Sequence, residues 1–99
     1  MTKYREMLEW LKEDDERYIY FGGSSLENKD AIHLIKSLYS DGATRVEVEE
    51  DEDESADTIY ITIDPKKITK QLLESFVELN PDEFDKVKGR LNTYRLWWD

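Results

Sequence analysis

The chain has 99 residues, a net charge of −10, 38% apolar and 38% charged side chains, and no cysteine. That length predicts a single domain over residues 1–99 with one modest core, and the lack of Cys excludes disulfides and thiolate metal sites. The acidity disfavours direct nucleic-acid binding, which needs clustered Lys and Arg. No apolar run approaches the ~18 residues of a membrane helix, and Met1 to Met7 contains no apolar signal core, so a cytoplasmic location away from membranes is expected.

Residues 2–14 read as a helix, with residues 1–15 as an N-terminal helical segment. Tyr4, Met7, Leu8 and Leu11 form its apolar stripe, and Trp10 lies off centre. Tyr18 to Phe21 is a short strand stopped by Gly22-Gly23. A second helix is predicted from Leu26 to Ser40, capped by Ser25 or Asn28 and burying Ala31, Leu34, Ile35, Leu38 and Tyr39. Asp41-Gly42 supplies its left-handed stop. Thr44 to Glu49 and Thr58 to Ile63 alternate like strands, with Val46, Val48, Ile59, Ile61 and Ile63 on the inner row.

Asp64-Pro65 has the form of a helix start. The third helix is expected to run to Leu79 over Ile68, Leu72, Phe76 and Leu79, with a short further turn through Phe84 and Val87. Thr93 to Trp98 is the last strand. Helix followed by β-α-β-β-α-β predicts an α+β fold. The expectation is a ferredoxin-like βαββαβ sandwich with a four-stranded antiparallel sheet and an extra N-terminal helix. Adjacent Trp97 and Trp98 must point to opposite faces, which places the first helix over the second face.

The concentrated feature is Glu47 to Asp57. It holds eight carboxylates and no Lys or Arg, and without it the molecule carries only −2. Residues 50–57 are expected to form an acidic hairpin loop. Such a loop can be a mobile, solvated connection, a docking element for a basic protein, or a cation site. Asp51, Asp53, Ser55 and Asp57 alternate like early calcium ligands. Ala56 stands where an EF-hand needs Gly, and Thr62 where it needs its bidentate Glu, so an ordinary EF-hand is excluded.

Other features read as structural. Tyr18, Tyr20 and Tyr60 would share the outer sheet face, where RNA-binding modules of this topology stack bases. Neighbouring Glu47 and Glu49 oppose that use, and packing beneath the first helix is expected instead. Gly22-Gly23-Ser24-Ser25 lacks the spacing of a phosphate loop and reads as a turn. His33 is the only histidine and has no companion for metal or nucleophile chemistry. No constellation of nucleophile, base and oxyanion donor is evident, so a non-enzymatic role without cofactor or metal is expected.

Three segments carry a resemblance: Leu38-Tyr39-Ser40-Asp41-Gly42-Ala43 leading to Val46-Glu47-Val48, Ala56-Asp57-Thr58-Ile59-Tyr60-Ile61, and Leu96-Trp97-Trp98-Asp99. Together they resemble small uncharacterised bacterial proteins with LYxxGAxxVxV, ADTL-like and C-terminal LWWD segments. That resemblance implies a bacterial intracellular protein and transfers no catalytic residue.

The leading expectation is a protein-binding domain that docks a basic partner through Glu49, Glu50, Asp51, Glu52, Asp53, Glu54 and Asp57. One alternative is a charge-mimic inhibitor, of antitoxin, immunity or phage type, acting on a nucleic-acid-binding protein. Another is a divalent-cation-responsive module. The aromatic C-terminus also offers a surface for homodimer pairing.

Overall fold

The computed structural model describes residues 3–99. Among the described residues the fold is mixed α+β. In chain order it runs β1 (Tyr4–Glu6), α1 (Met7–Glu13), β2 (Tyr18–Tyr20), β3 (Ser25–Leu26), α2 (Asn28–Ser40), β4 (Ala43–Glu49), β5 (Ser55–Ala56), β6 (Thr58–Ile63), α3 (Lys70–Leu79), β7 (Glu83–Lys86) and β8 (Thr93–Trp97). The strands form two sheets. The larger, of order β1-β4-β6-β8-β7, is antiparallel throughout. The smaller, β3-β2-β5, joins β2 and β3 antiparallel and β2 and β5 parallel.

The core follows the predicted alternation. Val46, Val48, Ile59, Ile61, Ile63 and Leu96 cluster with Ala31, Ile35 and Leu38 of α2 and Leu72 and Phe76 of α3. Full burial of each Leu or Ile contributes roughly 1.5–3 kcal/mol. The chain leaves α2, after its cap Asp41, through Gly42, whose φ of +123° suits glycine. Trp98 is buried and donates its indole N–H to the Leu79 carbonyl at 2.9 Å. Trp97 lies half-buried on the opposite face, paired with Thr58. No described helix is long and apolar enough to cross a membrane.

Several expectations are corrected. The large sheet has five strands rather than four, and the ferredoxin-like order is not found, because β2 pairs with β3 and β5 instead of entering that sheet. The N-terminal helix covers only Met7–Glu13; of its predicted span, residues 1 and 2 lie outside the described residues. Tyr4–Glu6 is an edge strand on β4, and Glu6 then caps α1 by accepting from Leu8 and Glu9 amides. The Tyr39 hydroxyl supplies what the departing β1 no longer offers β4. It accepts from the Val46 amide at 2.9 Å and donates to Glu6 at 2.8 Å. Burial pushes that phenol up to about 12, with the Glu6 bond adding to the rise.

α1 does not cover the second sheet face. Met7, Trp10 and Leu11 join the same core cluster as α2, and α1 packs beside α2 and β4. The third helix begins at Lys70, because Thr69 rather than Asp64 caps it, its hydroxyl accepting from the Leu72 amide at 3.1 Å. Asp64 instead organises a turn through its bonds with Lys66 and Lys67, leaving Ile68 37% exposed. The expected turn through Phe84 is strand β7, paired with β8, where Phe84 stacks on Tyr94 at 5.5 Å. Neither Ser25 nor Asn28 caps α2: Glu27 stands at that position without a side-chain bond.

Candidate functional site

The acidic segment is tied down along its backbone. Trp10 donates its indole N–H to the Glu52 carbonyl at 3.2 Å, and Arg17 Nε donates to the Asp53 carbonyl at 3.1 Å. The Tyr18 amide donates to the Glu54 carbonyl at 3.0 Å, and the Trp98 amide to that of Asp57 at 3.0 Å. At the near end the Glu50 amide donates to the Lys3 carbonyl at 2.9 Å. Ser55–Ala56 then pairs with Tyr18–Ile19 as β5. The backbone of the segment is thus bonded to five distant residues, with successive carbonyls turned inward. Satisfying those carbonyls inside the protein leaves the carboxylates to face outward.

The predicted docking residues separate into distinct environments. Glu50, Asp51, Asp53 and Glu54 are exposed. Glu49 is half-buried and accepts the Tyr60 hydroxyl at 2.9 Å. Asp57 is half-buried and accepts from the Thr58 hydroxyl at 2.9 Å. Glu52 is also half-buried; desolvation, helped by Asp57, Glu49 and Asp51, pushes its carboxyl above the usual carboxylate range. Four residues thus carry the accessible charge, and three are partly committed to the fold.

Glu47 lies apart from this ridge. It is buried on the open face of the large sheet, held by Arg45 at 3.1 Å and by Arg90 from the β7–β8 turn. The Arg90 guanidinium also lies 4.6 Å from the Tyr4 ring centroid. Tyr4 packs edge-on to Tyr60 at 4.7 Å, and burial together with the Glu49 bond pushes the Tyr60 phenol well up. Tyr60 therefore packs under Tyr4 rather than under the first helix. Among the described residues Arg90 Nη1 is a buried nitrogen without a partner. Alternation alone gave Glu47 as outward-facing; the Arg90 lid that buries it comes from 43 residues away.

Tyr18 and Tyr20 are not on the large sheet at all. They line an open groove of about 800 Å³ beside the acidic segment, together with Asp15, Glu16, Glu27, Glu54 and one cation, Lys29. Asn28 forms part of its wall and donates to the carbonyls of Leu11, Asp14 and Arg17, joining α1 and β2 to α2. The sequence could not show this groove, because a two-residue parallel pairing creates it.

Chemically, the ridge and groove present negative charge beside two phenol rings. Such rings accept Lys and Arg side chains over their faces. Among the described residues no group of three or more His, Cys, Asp or Glu is arranged to hold a metal ion. His33 is exposed on α2. Gly22-Gly23-Ser24 is the β2–β3 turn, closed by the Phe21 amide donating to the Ser24 carbonyl at 2.8 Å. No family model, curated protein or solved structure matches the chain.

Proposed function

We propose that this protein binds a basic protein segment through the acidic ridge and the adjoining groove, without catalysing a reaction. The observation that carries this reading is the display of Glu50, Asp51, Asp53 and Glu54 on a backbone fixed by Trp10, Arg17 and Tyr18. A ridge already ordered loses little conformational entropy when a partner arrives, so more of the contact energy becomes affinity. Its dense charge steers positive surfaces and suppresses wrong partners. Tyr18 and Tyr20 give the groove aromatic surfaces against which Lys or Arg stems can pack.

The test replaces Glu50 and Glu54 by Gln and Asp51 and Asp53 by Asn. Retention of a basic protein from bacterial lysate should be lost in this variant, while its circular dichroism and melting stay close to those of the parent. Retention at the parental level would remove the ridge from the binding site.

A further inference from the structure

The acidic ridge has a counterpart at the opposite end of the sheet. β4 and β6 run antiparallel, with Ala43 opposite Ile63. The segment joining Glu49 to Thr58 therefore lies at one end, and residues following Ile63 at the other. Thr62 pairs with Thr93 and Lys86 with Tyr94, which brings the β7–β8 turn to that second end as well. Two turns meet there: Asp64 to Thr69, carrying Lys66 and Lys67, and Val87 to Asn92, carrying Lys88 and Arg90. Lys86 stands at the root of the hairpin.

Lys66, Lys67, Lys86 and Lys88 are all exposed, and among the described residues none of the four forms an ion pair. Leu91 on the same turn is 81% exposed and Ile68 beside the other turn 37%. Arg90 is drawn back onto Glu47, so the turn is anchored to the sheet. This end is a braced cationic projection with an apolar tip, whereas the sequence outside the acidic segment looks evenly mixed.

We propose that the basic end of one molecule docks on the acidic ridge and groove of a second copy, head to tail. The inference rests on the ridge being a docking element and names its partner. Charge complementarity selects the occupant. The four unpaired lysines match the four exposed carboxylates Glu50, Asp51, Asp53 and Glu54, and Lys88 and Lys86 can lie over Tyr18 and Tyr20.

Within one molecule the two ends cannot neutralise each other. Strand β4 alone separates them by about 20 Å at ~3.3 Å per residue, against a screening length of about 8 Å at physiological salt. The same screening limits repulsion between two chains of net charge −10, while the facing ends attract at close range. Such a contact uses different surfaces on the two copies, so it propagates as an open chain unless it closes into a ring.

Sedimentation velocity tests this with three proteins. The first is the parent, the second the ridge variant (E50Q, D51N, D53N, E54Q), and the third the basic-end variant (K66Q, K67Q, K86Q, K88Q). The parent's mass should rise above 11.8 kDa with concentration. It should return to monomer near about 1 M salt, where screening falls to ~3 Å. Each variant alone should self-associate at least about tenfold more weakly, a loss of ~1.4 kcal/mol.

An equal mixture should form a heterodimer that stops at two copies, because only one ridge and one basic end remain intact. A two-fold dimer built from a single patch would not show that rescue. A parent that stays monomeric at millimolar concentration, or a mixture that fails to associate, overturns the proposal. A monomeric parent that still retains a basic protein through its ridge overturns self-docking alone and leaves the docking reading standing.

Discussion

Arg17 is where the fold holds the acidic ridge in place, and Arg17→Met should show it. Its side chain is only 14% exposed. Nε donates to the Asp53 carbonyl at 3.1 Å and Nη1 to the Trp10 carbonyl at 2.9 Å, while the guanidinium lies 5.0 Å from the Trp10 ring centroid. Methionine keeps most of the apolar stem and removes the rest. A charged hydrogen bond is worth about 1.5–3 kcal/mol, and taking the lower end for each of the two sets a floor on the loss. The cation–π contact adds about 0.5 kcal/mol. The bridge to Glu13, which is itself exposed, adds almost nothing.

The expected cost is about 3.5 kcal/mol, or roughly a 14–28 °C fall in melting temperature for a domain of this size. Urea unfolding followed by tryptophan fluorescence gives the energy. Hydrogen exchange should show faster exchange at the Glu52 and Tyr18 amides. A cost below about 1 kcal/mol, or unchanged exchange at those amides, would refute the view that this residue holds the ridge.

Further outcomes follow from the same geometry. Glu47→Gln should cost about 2 kcal/mol in chemical denaturation, below the 3–5 kcal/mol of a fully enclosed pair because Arg45 is half exposed. Combining it with Arg90→Met should cost less than the sum of the two single changes. Glu52→Gln should raise the melting temperature at neutral pH. The folded state holds that carboxyl's proton more tightly than the unfolded chain, so the native charge carries a penalty that appears as pH rises through the raised value. The advantage of Gln should vanish in acid, and a melting series across pH reads the sign. Gly42→Ala should destabilise by at least about 1 kcal/mol, since its φ is +123° and a Cβ would lie 2.9 Å from the Lys67 carbonyl oxygen.

What was legible in the sequence was the local and periodic part. Val46 and Val48, the Ile59-Ile61-Ile63 row and the Ala31-Ile35-Leu38 stripe each satisfy a period that one face imposes, and all are buried. Gly42 was legible because a left-handed helix stop favours glycine. Features set by distant partners were not. Tyr18–Tyr20 has the pattern of a strand, but only its pairing with Ser55–Ala56 and Ser25–Leu26 decides which sheet it joins. Glu83–Lys86 is exposed throughout, so it carries no burial pattern to betray an edge strand.

Asp64-Pro65 gave a sound local signal that Thr69 overrode, the threonine hydroxyl also donating to the Asp41 carbonyl. In the site, charge density marked a segment in which Glu50, Asp51, Asp53 and Glu54 are exposed, but not that Glu49, Glu52 and Asp57 are half-buried. It could not show that Trp10 and Arg17 fix its backbone, nor that Glu47 is turned away from it under Arg90. The basic end was written in the sequence as Lys66-Lys67 and Lys86-Val87-Lys88-Gly89-Arg90, but only antiparallel pairing brings those two turns together.

The most direct test of ridge docking is a charge-matched comparison of partner affinity. One variant neutralises Glu50, Asp51, Asp53 and Glu54; the other neutralises the exposed Glu9, Asp30, Glu74 and Glu78. Both shift the net charge by the same amount, so any difference reports position. The ridge variant should lose at least about tenfold in affinity for the captured basic protein, or ~1.4 kcal/mol, while the matched variant stays within about twofold of the parent. Equal losses in both would reduce the effect to overall charge, and no loss in either would contradict docking at the ridge.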